Sequence, residues 1–482
     1  MIRSSEHPGR YLSVIFIFIL LTTACTHFSP RVNRYGMPER KYTYQQPEKI
    51  NDGWQTASLN EVDIASSKIN EMMRDILGGN DKNIHSILLI KDGKLVFEEY
   101  FYGYNRHKLH FLASVSKSIT SILIGMAIDR QFTFDVETKA YAFFPEYTGS
   151  RWIDQKYPIT LQHILSMAAG LDWDATKYSR RDSRHTTHQM YASGDPIGFV
   201  LGRNLIETPG EKFNYNSGLT ILLGGIVRNT SGLYIDKFAG QYLFTPLGIS
   251  DYHWDKFSDG NIQTDGGLHL RQRDMAKIGY MMLKEGKWKD QQIVSRKWVA
   301  ESTKRHIDAI GIGYGYQWWI GKTPMNNHAT EVIFASGHGG QKIFLIPELD
   351  LVAIFTSRVF NSKGHSGPEG FLLKYIIPSI VPSVSPKKAI KLSPEVLDQL
   401  TGKYEAKEMG IVVPVFREGE KLYTRTSFWD KVELRPESES QFFGDSKNIG
   451  EFRVNLIKDN KGNVKQFIVY LGFRGIYFDK IE

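Results

Sequence analysis

Two apolar hairpins that lie far apart in the chain place the strongest constraint on its fold. The first spans 86–97 and turns at Asp92-Gly93, and the second spans 342–355 and turns at 347–350. A short polar turn between two apolar runs is a strong hairpin signal. The segment between the hairpins has the mixed patterning of helices and loops. Strands at both ends of a helical middle predict one sheet whose strands come from sequence-distant segments.

The chain has 482 residues, which is long enough for two or three domains. Helical spacing of apolar residues begins near residue 61, and three prolines fall between 378 and 388. These features predict a main domain at 59–380, a linker at 381–394 and a C-terminal domain at 395–482. The C-terminal domain is predicted to be a small antiparallel β-domain, because short apolar segments alternate there with turns: 410–416, 421–426, 451–456 and 466–471.

The composition is that of a globular protein with a modest basic excess. Apolar residues make up 41% and charged residues 23% of the chain, and the formal net charge is +8. The lysines and arginines are scattered and accompany no nucleic-acid-binding motif, so no nucleic-acid partner is predicted. His185 and His188 have a spacing compatible with metal binding on a helix, but they lie in a polar stretch typical of a surface loop. No metal and no cofactor are predicted.

The N-terminal sequence is typical of an exported protein. An apolar run at 11–21 follows Arg3 and Arg10, and this run is too short to span a bilayer. It ends shortly before Cys25, the one cysteine of the chain, in a pattern that resembles a bacterial lipoprotein signal. The alternative is a plain signal peptide that contains a chance cysteine.

The lipoprotein resemblance implies that Cys25 is lipidated and attaches the protein to a membrane. Residues 1–25 would then be the signal peptide, and residues 26–58, rich in Pro, Tyr and Gln, would be a tether. The protein is expected to face the periplasm, and Thr26 in place of an aspartate favours the outer membrane by the lipoprotein rule.

A Ser-x-x-Lys pattern occurs twice, and one copy has a context that suits catalysis. The copy with Ser385 and Lys388 lies in the predicted linker, whereas the copy with Ser114 and Lys117 opens a helix. The apolar residues that recur on one face of this helix are Val115, Ile119, Ile122, Leu123 and Met126.

The position of this pair on a helix supplies a mechanism. Residues three apart share a helix face, so Lys117 can reach the Ser114 hydroxyl and act as its base. The electropositive helix N-terminus favours an alkoxide at Ser114. The alternative is a serine that starts a core helix, with a lysine whose ammonium reaches solvent.

Five motifs resemble, in the same order, those of serine β-lactamases and penicillin-binding proteins. The resemblance covers about 60–380 and implies a β-lactamase/transpeptidase-like α/β (α+β) fold, an antiparallel sheet flanked by helices with a helical subdomain. The motifs are HFLASVSKSITS at 110–121, LQHILSMAAGLDW at 161–173, PGEKFNYNSG at 209–218, GGL at 266–268 with RDMA at 273–276, and SGHGGQ at 336–341.

The resemblance implies roles for further residues. Tyr215 would exchange protons with Ser114 and the leaving group; the alternative is a core tyrosine. The N–H groups of Ser114 and Gln341 would form an oxyanion hole. Gly339 and Gly340 would let a strand approach the substrate closely.

The sequence departs from β-lactamases at the substrate-binding positions. His338 stands in place of the family's lysine, and it is either a donor to the substrate or Tyr215, or a spacer. In class C enzymes an asparagine stands two residues after the catalytic tyrosine. Here Ser217 occupies that place, and Asn216 lies between it and Tyr215. The Tyr-Asn-Ser-Gly form is more similar to 6-aminohexanoate-dimer hydrolases and related esterases of the same fold.

These features predict an exported serine hydrolase that cleaves an ester or amide bond of a small-molecule or peptide-like substrate through an acyl-enzyme on Ser114. The alternatives are a penicillin-binding, D-Ala-peptidase or β-lactamase-type protein, and a non-catalytic surface lipoprotein. The segment 177–195 is a candidate flap beside the site. The aromatic residues Tyr314, Tyr316, Trp318 and Trp319 either line an acyl pocket or pack in the core.

Overall fold

The structure is a computed structural model that describes residues 31, 39, 41–79, 83–132, 134–174, 177–178, 182–309, 311–325, 328–358, 367–381, 389–425, 431–446, 450–460 and 462–481. Cys25, the rest of the predicted signal peptide and residues 382–388 of the predicted linker lie outside this set. Within it, no helix is long and apolar enough to cross a membrane.

The two hairpins join in one large sheet, as their patterning predicts. Its strand order is β1-β3-β2-β14-β13-β12-β11-β10-β9, and neighbours are antiparallel except for β1 and β3. All residues of β13 and β14 are buried because helices cover both faces of the sheet. The strands are β1 (Gln55–Thr56), β2 (Ile84–Lys91), β3 (Lys94–Tyr100), β9 (Ile307–Asp308), β10 (Gly313–Tyr314), β11 (Trp319–Met325), β12 (His328–Gly337), β13 (Gln341–Ile346) and β14 (Leu351–Ser357).

Short strands form two smaller sheets within the main domain. β4 (His110–Phe111) pairs with β6 (Leu268–Leu270), which also pairs with β5 (His253–Trp254). β7 (Lys287–Trp288) pairs with β8 (Gln291–Gln292).

Helices lie on both faces of the large sheet and form a helical subdomain. One hydrophobic core contains α2, α7 and α9 with one face of the sheet, and a second contains α1 and the helices after β14 with the other face. The helices are α1 (Ser66–Leu77), α2 (Val115–Asp129), α3 (Arg151–Asp154), α4 (Leu161–Leu165), α5 (Thr186–Ala192), α6 (Pro196–Leu201), α7 (Ser217–Ser231), α8 (Ile235–Ala239), α9 (Gln272–Leu283), α10 (Arg296–Ser302), α11 (Pro368–Phe371) and α12 (Ile377–Ile380). The predicted mixed α/β architecture is confirmed.

The C-terminal domain is a closed antiparallel barrel, which extends the prediction of a small β-domain. A short helix, α13 (Pro394–Gln399), precedes it. Closure brings the first strand onto the last, where Tyr404 pairs with Lys480. The strands are β15 (Gly402–Ala406), β16 (Ile411–Glu418), β17 (Lys421–Thr424), β18 (Val432–Pro436), β19 (Gln441–Ser446), β20 (Gly450–Lys458), β21 (Val464–Leu471) and β22 (Arg474–Lys480).

The turn between β21 and β22 joins the barrel to the main domain. Phe473 at this turn is only 2% exposed and belongs to the core on the barrel side of the large sheet. Its carbonyl accepts a hydrogen bond from Lys322 N at 3.1 Å, and Gly475 N donates to Gly311 O at 3.1 Å. A barrel side chain therefore completes the core of the main domain.

Residues 41–58, which the sequence predicts to be part of a tether, instead pack on the main domain. β1 pairs with β3, and the Tyr44 hydroxyl donates to Val96 O at 2.8 Å. Trp54 is 3% exposed and its indole N–H donates to Arg273 O at 3.3 Å. The composition does not indicate this packing, because the packed residues are isolated aromatics in a polar stretch. The main domain therefore begins before residue 59.

Candidate active site

Ser114 follows a strained residue at the junction of β4 and α2. Ala113 adopts a φ of 48°, a conformation that is unfavourable for a residue with a β-carbon, and Ser114 is the N-cap of α2. The Ser116 hydroxyl fastens this turn, because it donates to Ala113 O at 2.7 Å and accepts from Leu268 N at 3.3 Å. Such a conformation persists where surrounding contacts hold it, as the Ser116 hydrogen bonds do here.

Lys117 lies directly beneath Ser114. Its Nζ is 3.3 Å from Ser114 Oγ and donates to Asp265 O at 2.5 Å. The residue is 2% exposed. The helix therefore brings the predicted nucleophile and base into the direct contact that proton transfer requires.

Asp265 is a site residue that the sequence motifs did not single out. Its Oδ2 is 3.7 Å from Lys117 Nζ and accepts a hydrogen bond from the Tyr191 hydroxyl at 2.7 Å. The side chain is buried, and its Oδ1 has no hydrogen-bond partner among the described residues. The available signal was its position immediately before the Gly266-Gly267 motif.

Buried hydroxyl and amide groups hold the loops around this cluster. Thr264 Oγ1 donates to Thr220 O at 2.7 Å, and Thr120 Oγ1 donates to Thr264 O at 3.2 Å. Ser118 Oγ donates to Gln317 O at 2.6 Å, and Thr220 Oγ1 donates to Gln317 Oε1 at 2.9 Å. These bonds connect α2, α7 and two loops, so the carbonyl and carboxylate of the neighbouring Asp265 are held against Lys117.

Tyr215 lies in an aromatic wall beside Lys117. Lys117 Nζ is 5.4 Å from the Tyr215 ring centroid, and the ring stacks on Trp319 at 6.0 Å. Tyr314 contacts Trp319 edge-on at 4.8 Å, and burial, followed by the nearby Tyr215 phenol, raises the pKa of Tyr314 well above its ordinary value. Within the described residues the Tyr215 hydroxyl makes no hydrogen bond, so none of them accepts its proton.

The aromatic residues at 314–319 divide between wall and core. Tyr314 and Trp319 belong to the wall around Tyr215. Tyr316 stacks on His306 at 4.0 Å, and Trp318 is fully buried. Tyr314, Tyr316 and Trp318 are therefore buried in the core, whereas Trp319 is partly exposed and is the candidate of this segment for lining an acyl pocket.

The Gly339-Gly340 pair lies in a turn between β12 and β13 rather than within a strand. Both residues have positive φ, 82° and 88°, which favours glycine. The Ser357 hydroxyl donates to Gly339 O at 2.6 Å and lies 3.0 Å from Gly340 O. A β-carbon at Gly340 would lie 2.2 Å from Ser357 Oγ, so these glycines accommodate the turn itself.

The side chain of Gln341 closes the same turn. Its Nε2 donates to His338 O at 3.1 Å and Ser357 O at 2.8 Å, and its Oε1 accepts from Ser357 N at 3.0 Å. Only the backbone amide of Gln341 can therefore serve the predicted oxyanion hole. His338 is exposed in the turn.

Gly337 is the residue of this motif that contacts the chain just before Ser114. A β-carbon at Gly337 would lie 2.3 Å from Leu112 O and 3.2 Å from Ala113 Cβ. The end of β12 thus packs directly on the turn that precedes Ser114.

Asn216 and Ser217 begin α7 and are buried. Asn216 is the N-cap, and its Oδ1 accepts from Gly218 N at 2.8 Å. Asn216 N donates to Met167 Sδ at 3.4 Å. The side-chain oxygen of Asn216 therefore stabilises the helix that follows Tyr215. Substrate binding by Asn216 and Ser217 stays a prediction.

The candidate flap contributes a residue to the site through α5. Tyr191 on this helix contacts Asp265 as described above. His185 is the N-cap of α5, where its Nδ1 accepts from Thr187 N at 3.2 Å, and His188 is exposed. Among the described residues, no group of His, Cys, Asp and Glu has the arrangement of a metal site.

A beta-lactamase family model matches residues 81–370. The chain is 27% identical over 296 residues to a 6-aminohexanoate-dimer hydrolase of Paenarthrobacter ureafaciens, covering 56% of this chain and 71% of the relative. It is 22% identical over 454 residues to Penicillin-binding protein 4* of Bacillus subtilis strain 168, covering 81% and 94% of the two chains.

A solved structure shares the fold. EstCE1, a hydrolase with promiscuous acyltransferase activity, superposes with a TM-score of 0.53 at 15% identity, covering 66% of this chain and 98% of that chain. The resemblance predicted from the motifs is confirmed. The family match spans more than half of the 482 residues and contains Ser114, Lys117, Tyr215 and Asp265. The chain therefore belongs to the beta-lactamase family of hydrolases.

Proposed function

We propose that this protein hydrolyses an ester or amide bond through a covalent acyl-enzyme on Ser114. The observation that carries the proposal is the contact between buried Lys117 Nζ and Ser114 Oγ at 3.3 Å, at the N-terminus of α2. The similarity to a 6-aminohexanoate-dimer hydrolase supports a linear amide or an ester as the substrate rather than the cyclic amide of a β-lactam.

The proposed reaction has two steps. Ser114 Oγ attacks the substrate carbonyl while its proton passes to Lys117 Nζ, and backbone amides stabilise the oxyanion. The Tyr215 hydroxyl relays a proton to the leaving group as the carbonyl re-forms. A water molecule then attacks the acyl-enzyme, its proton is taken up by the same basic groups, and the acid is released with Ser114 restored.

Labelling with a fluorophosphonate probe tests the nucleophile. The wild type should be labelled, and Ser114→Ala should lose the label entirely. The chain offers a matched control in its second Ser-x-x-Lys sequence, since Ser385→Ala should be labelled like the wild type. Labelling that survives in Ser114→Ala would exclude Ser114 as the nucleophile.

A substrate comparison tests the bond preference and the penicillin-binding alternative. We expect p-nitrophenyl esters or linear amides to be turned over faster than nitrocefin, because His338 stands where β-lactamases place the lysine that binds a substrate carboxylate. Similarity to a penicillin-binding protein over 94% of its length favours the alternative. Stable acylation by labelled penicillin without turnover would support that alternative over hydrolysis.

Export and membrane attachment are also part of the proposal. The sequence before Cys25 supports lipidation at that residue, with the enzyme in the periplasm. Expressed in a Gram-negative cell, the wild type should fractionate with membranes, and Cys25→Ser should shift it to the soluble fraction. Recovery of the wild type in the soluble fraction would contradict lipid anchoring.

A further inference from the structure

A buried carboxylate beside Lys117 has a second partner on α5. Asp265 Oδ2 lies 3.7 Å from Lys117 Nζ and accepts from the Tyr191 hydroxyl at 2.7 Å. The Tyr191 hydroxyl in turn accepts from Gln263 Nε2 at 2.8 Å, and its ring packs edge-on against Phe257 at 5.4 Å. One carboxylate oxygen is thus shared between the candidate base and a tyrosine that the proposed reaction does not use.

Among the residues that the structure describes, Asp265 carries the carboxylate that forms an ion pair with Lys117. On α2 the amine faces the Ser114 hydroxyl, and from the segment before α7 it faces the Tyr215 ring. The Tyr314 phenol lies beyond Tyr215, and His338 lies exposed in the turn after β12. Asp265 Oδ2, at 3.7 Å, is therefore the charged oxygen through which the surroundings can act on the amine.

We propose that Asp265 and Tyr191 are positioning residues that set the proton affinity of Lys117, an inference that rests on the proposed function. The carboxylate stabilises the ammonium that forms when Lys117 takes the Ser114 proton. The Tyr191 hydroxyl donates to the same oxygen, which reduces its charge and holds it 3.7 Å from the amine. Without Tyr191, the carboxylate would pair more closely with Lys117, and the Lys117 ammonium would hold its proton more tightly.

The two residues should therefore shift the pH–rate profile in opposite directions. Asp265→Asn removes the negative charge, so the acidic limb of kcat should move to lower pH by about one unit, as expected for the loss of a nearby opposite charge. Its plateau kcat should fall by about tenfold or more, with KM nearly unchanged. Tyr191→Phe strengthens the ion pair, so the acidic limb should move to higher pH.

A double variant and a matched tyrosine control make the test specific. Asp265→Asn with Tyr191→Phe should have the same acidic limb as Asp265→Asn alone, because the proposed effect of Tyr191 on Lys117 passes through the carboxylate. Tyr234→Phe, a similarly exposed tyrosine packed on Arg228, should keep the wild-type profile. If Asp265→Asn fails to fold, Tyr191→Phe alone retains its predicted direction.

The outcomes separate this inference from the proposed function. A wild type that shows no Ser114-dependent acylation would overturn the proposed function. A wild type that acylates through Ser114, with Asp265→Asn and Tyr191→Phe variants whose acidic limbs stay in place or move together, would overturn only the positioning roles.

Discussion

Among single residues, Gly337 has no room for a side chain beside the turn that holds Ser114. Because a β-carbon there would lie 2.3 Å from Leu112 O, Gly337→Ala should separate the end of β12 from the turn that holds Ser114. We expect kcat/KM to fall by about 100-fold, the scale of a 1 Å misplacement of catalytic groups. Gly202→Ala, at the exposed C-cap of α6, is the control and should retain wild-type kcat/KM. Wild-type activity in Gly337→Ala would show that this contact does not position Ser114.

Sequence patterns could identify residues whose neighbours lie nearby in the chain, but not those assembled by tertiary contacts. Ser114 and Lys117 share a helix face, so their contact follows from spacing. Asp265 precedes the GGL motif and Tyr191 lies in the candidate flap, but no local pattern pairs them, because their contact joins segments 74 residues apart. The side chain of Gln341 could not be assigned either, since Ser357, its partner, comes from the next strand.

At the scale of elements, the turn between β21 and β22 connects the barrel to the aromatic wall. The Phe473 ring lies 5.6 Å from Phe334, which stacks on Trp319 at 6.4 Å, and Trp319 stacks on Tyr215. Two packed rings, those of Phe334 and Trp319, thus lie between Phe473 and Tyr215. The barrel is therefore linked to the site by packed rings, although it supplies no group that reaches Ser114 in the described structure.

Phe473→Ala should therefore affect catalysis as well as stability. Removal of a buried phenylalanine typically costs about 3–5 kcal/mol of unfolding free energy, and here it leaves a cavity against Phe334 and Phe344. Trp319 and Tyr215 should become less ordered, so kcat should fall at temperatures where the variant is folded. Phe473→Leu should restore most of both properties, as measured by urea unfolding and steady-state kinetics. A destabilised Phe473→Ala with unchanged kcat would show that the barrel acts on stability alone.

The boundaries of helices and strands can be predicted where apolar residues recur at a regular spacing. Both large hairpins were found from sequence, whereas barrel closure was not, because pairing of β15 with β22 depends on residues 76 positions apart. The packing of residues 41–58 cannot be predicted for a related reason. Trp54 contacts Arg273, which is distant in sequence, and no local pattern indicates such a contact.

For the molecule as a whole, acidic pH should reduce stability through two buried histidines. His85 Nδ1 lies 2.9 Å from His110 Nε2. Burial, reinforced by nearby positive charge, lowers the pKa of His85 to about 4, and burial also lowers the pKa of His110. The unfolded chain binds these protons near pH 6.5, before the folded one does, so the free energy of unfolding should decrease as the pH falls from about 6.5 towards 4.

Urea unfolding at pH 7.5 and pH 5 measures this effect. The wild type should lose stability between the two values, and His85→Gln should lose less because one of the two sites is gone. His107→Gln provides the control, since His107 is exposed in the same segment and should leave the pH dependence unchanged. An equal loss of stability in His85→Gln and the wild type would rule out His85 as a source of acid sensitivity.

The pairing of β2 with β14 has a consequence for how the chain acquires its site. Lys91 is the partner of Leu351, so about 260 residues must be synthesised after β2 before β14, its second neighbour in the sheet, exists. Such long-range pairing slows folding and leaves an exposed strand edge in the meantime. Because α2 packs against β12 and β13, the nucleophile is held only after these late strands have joined. Chains that end before residue 351 should therefore aggregate rather than form a smaller active enzyme.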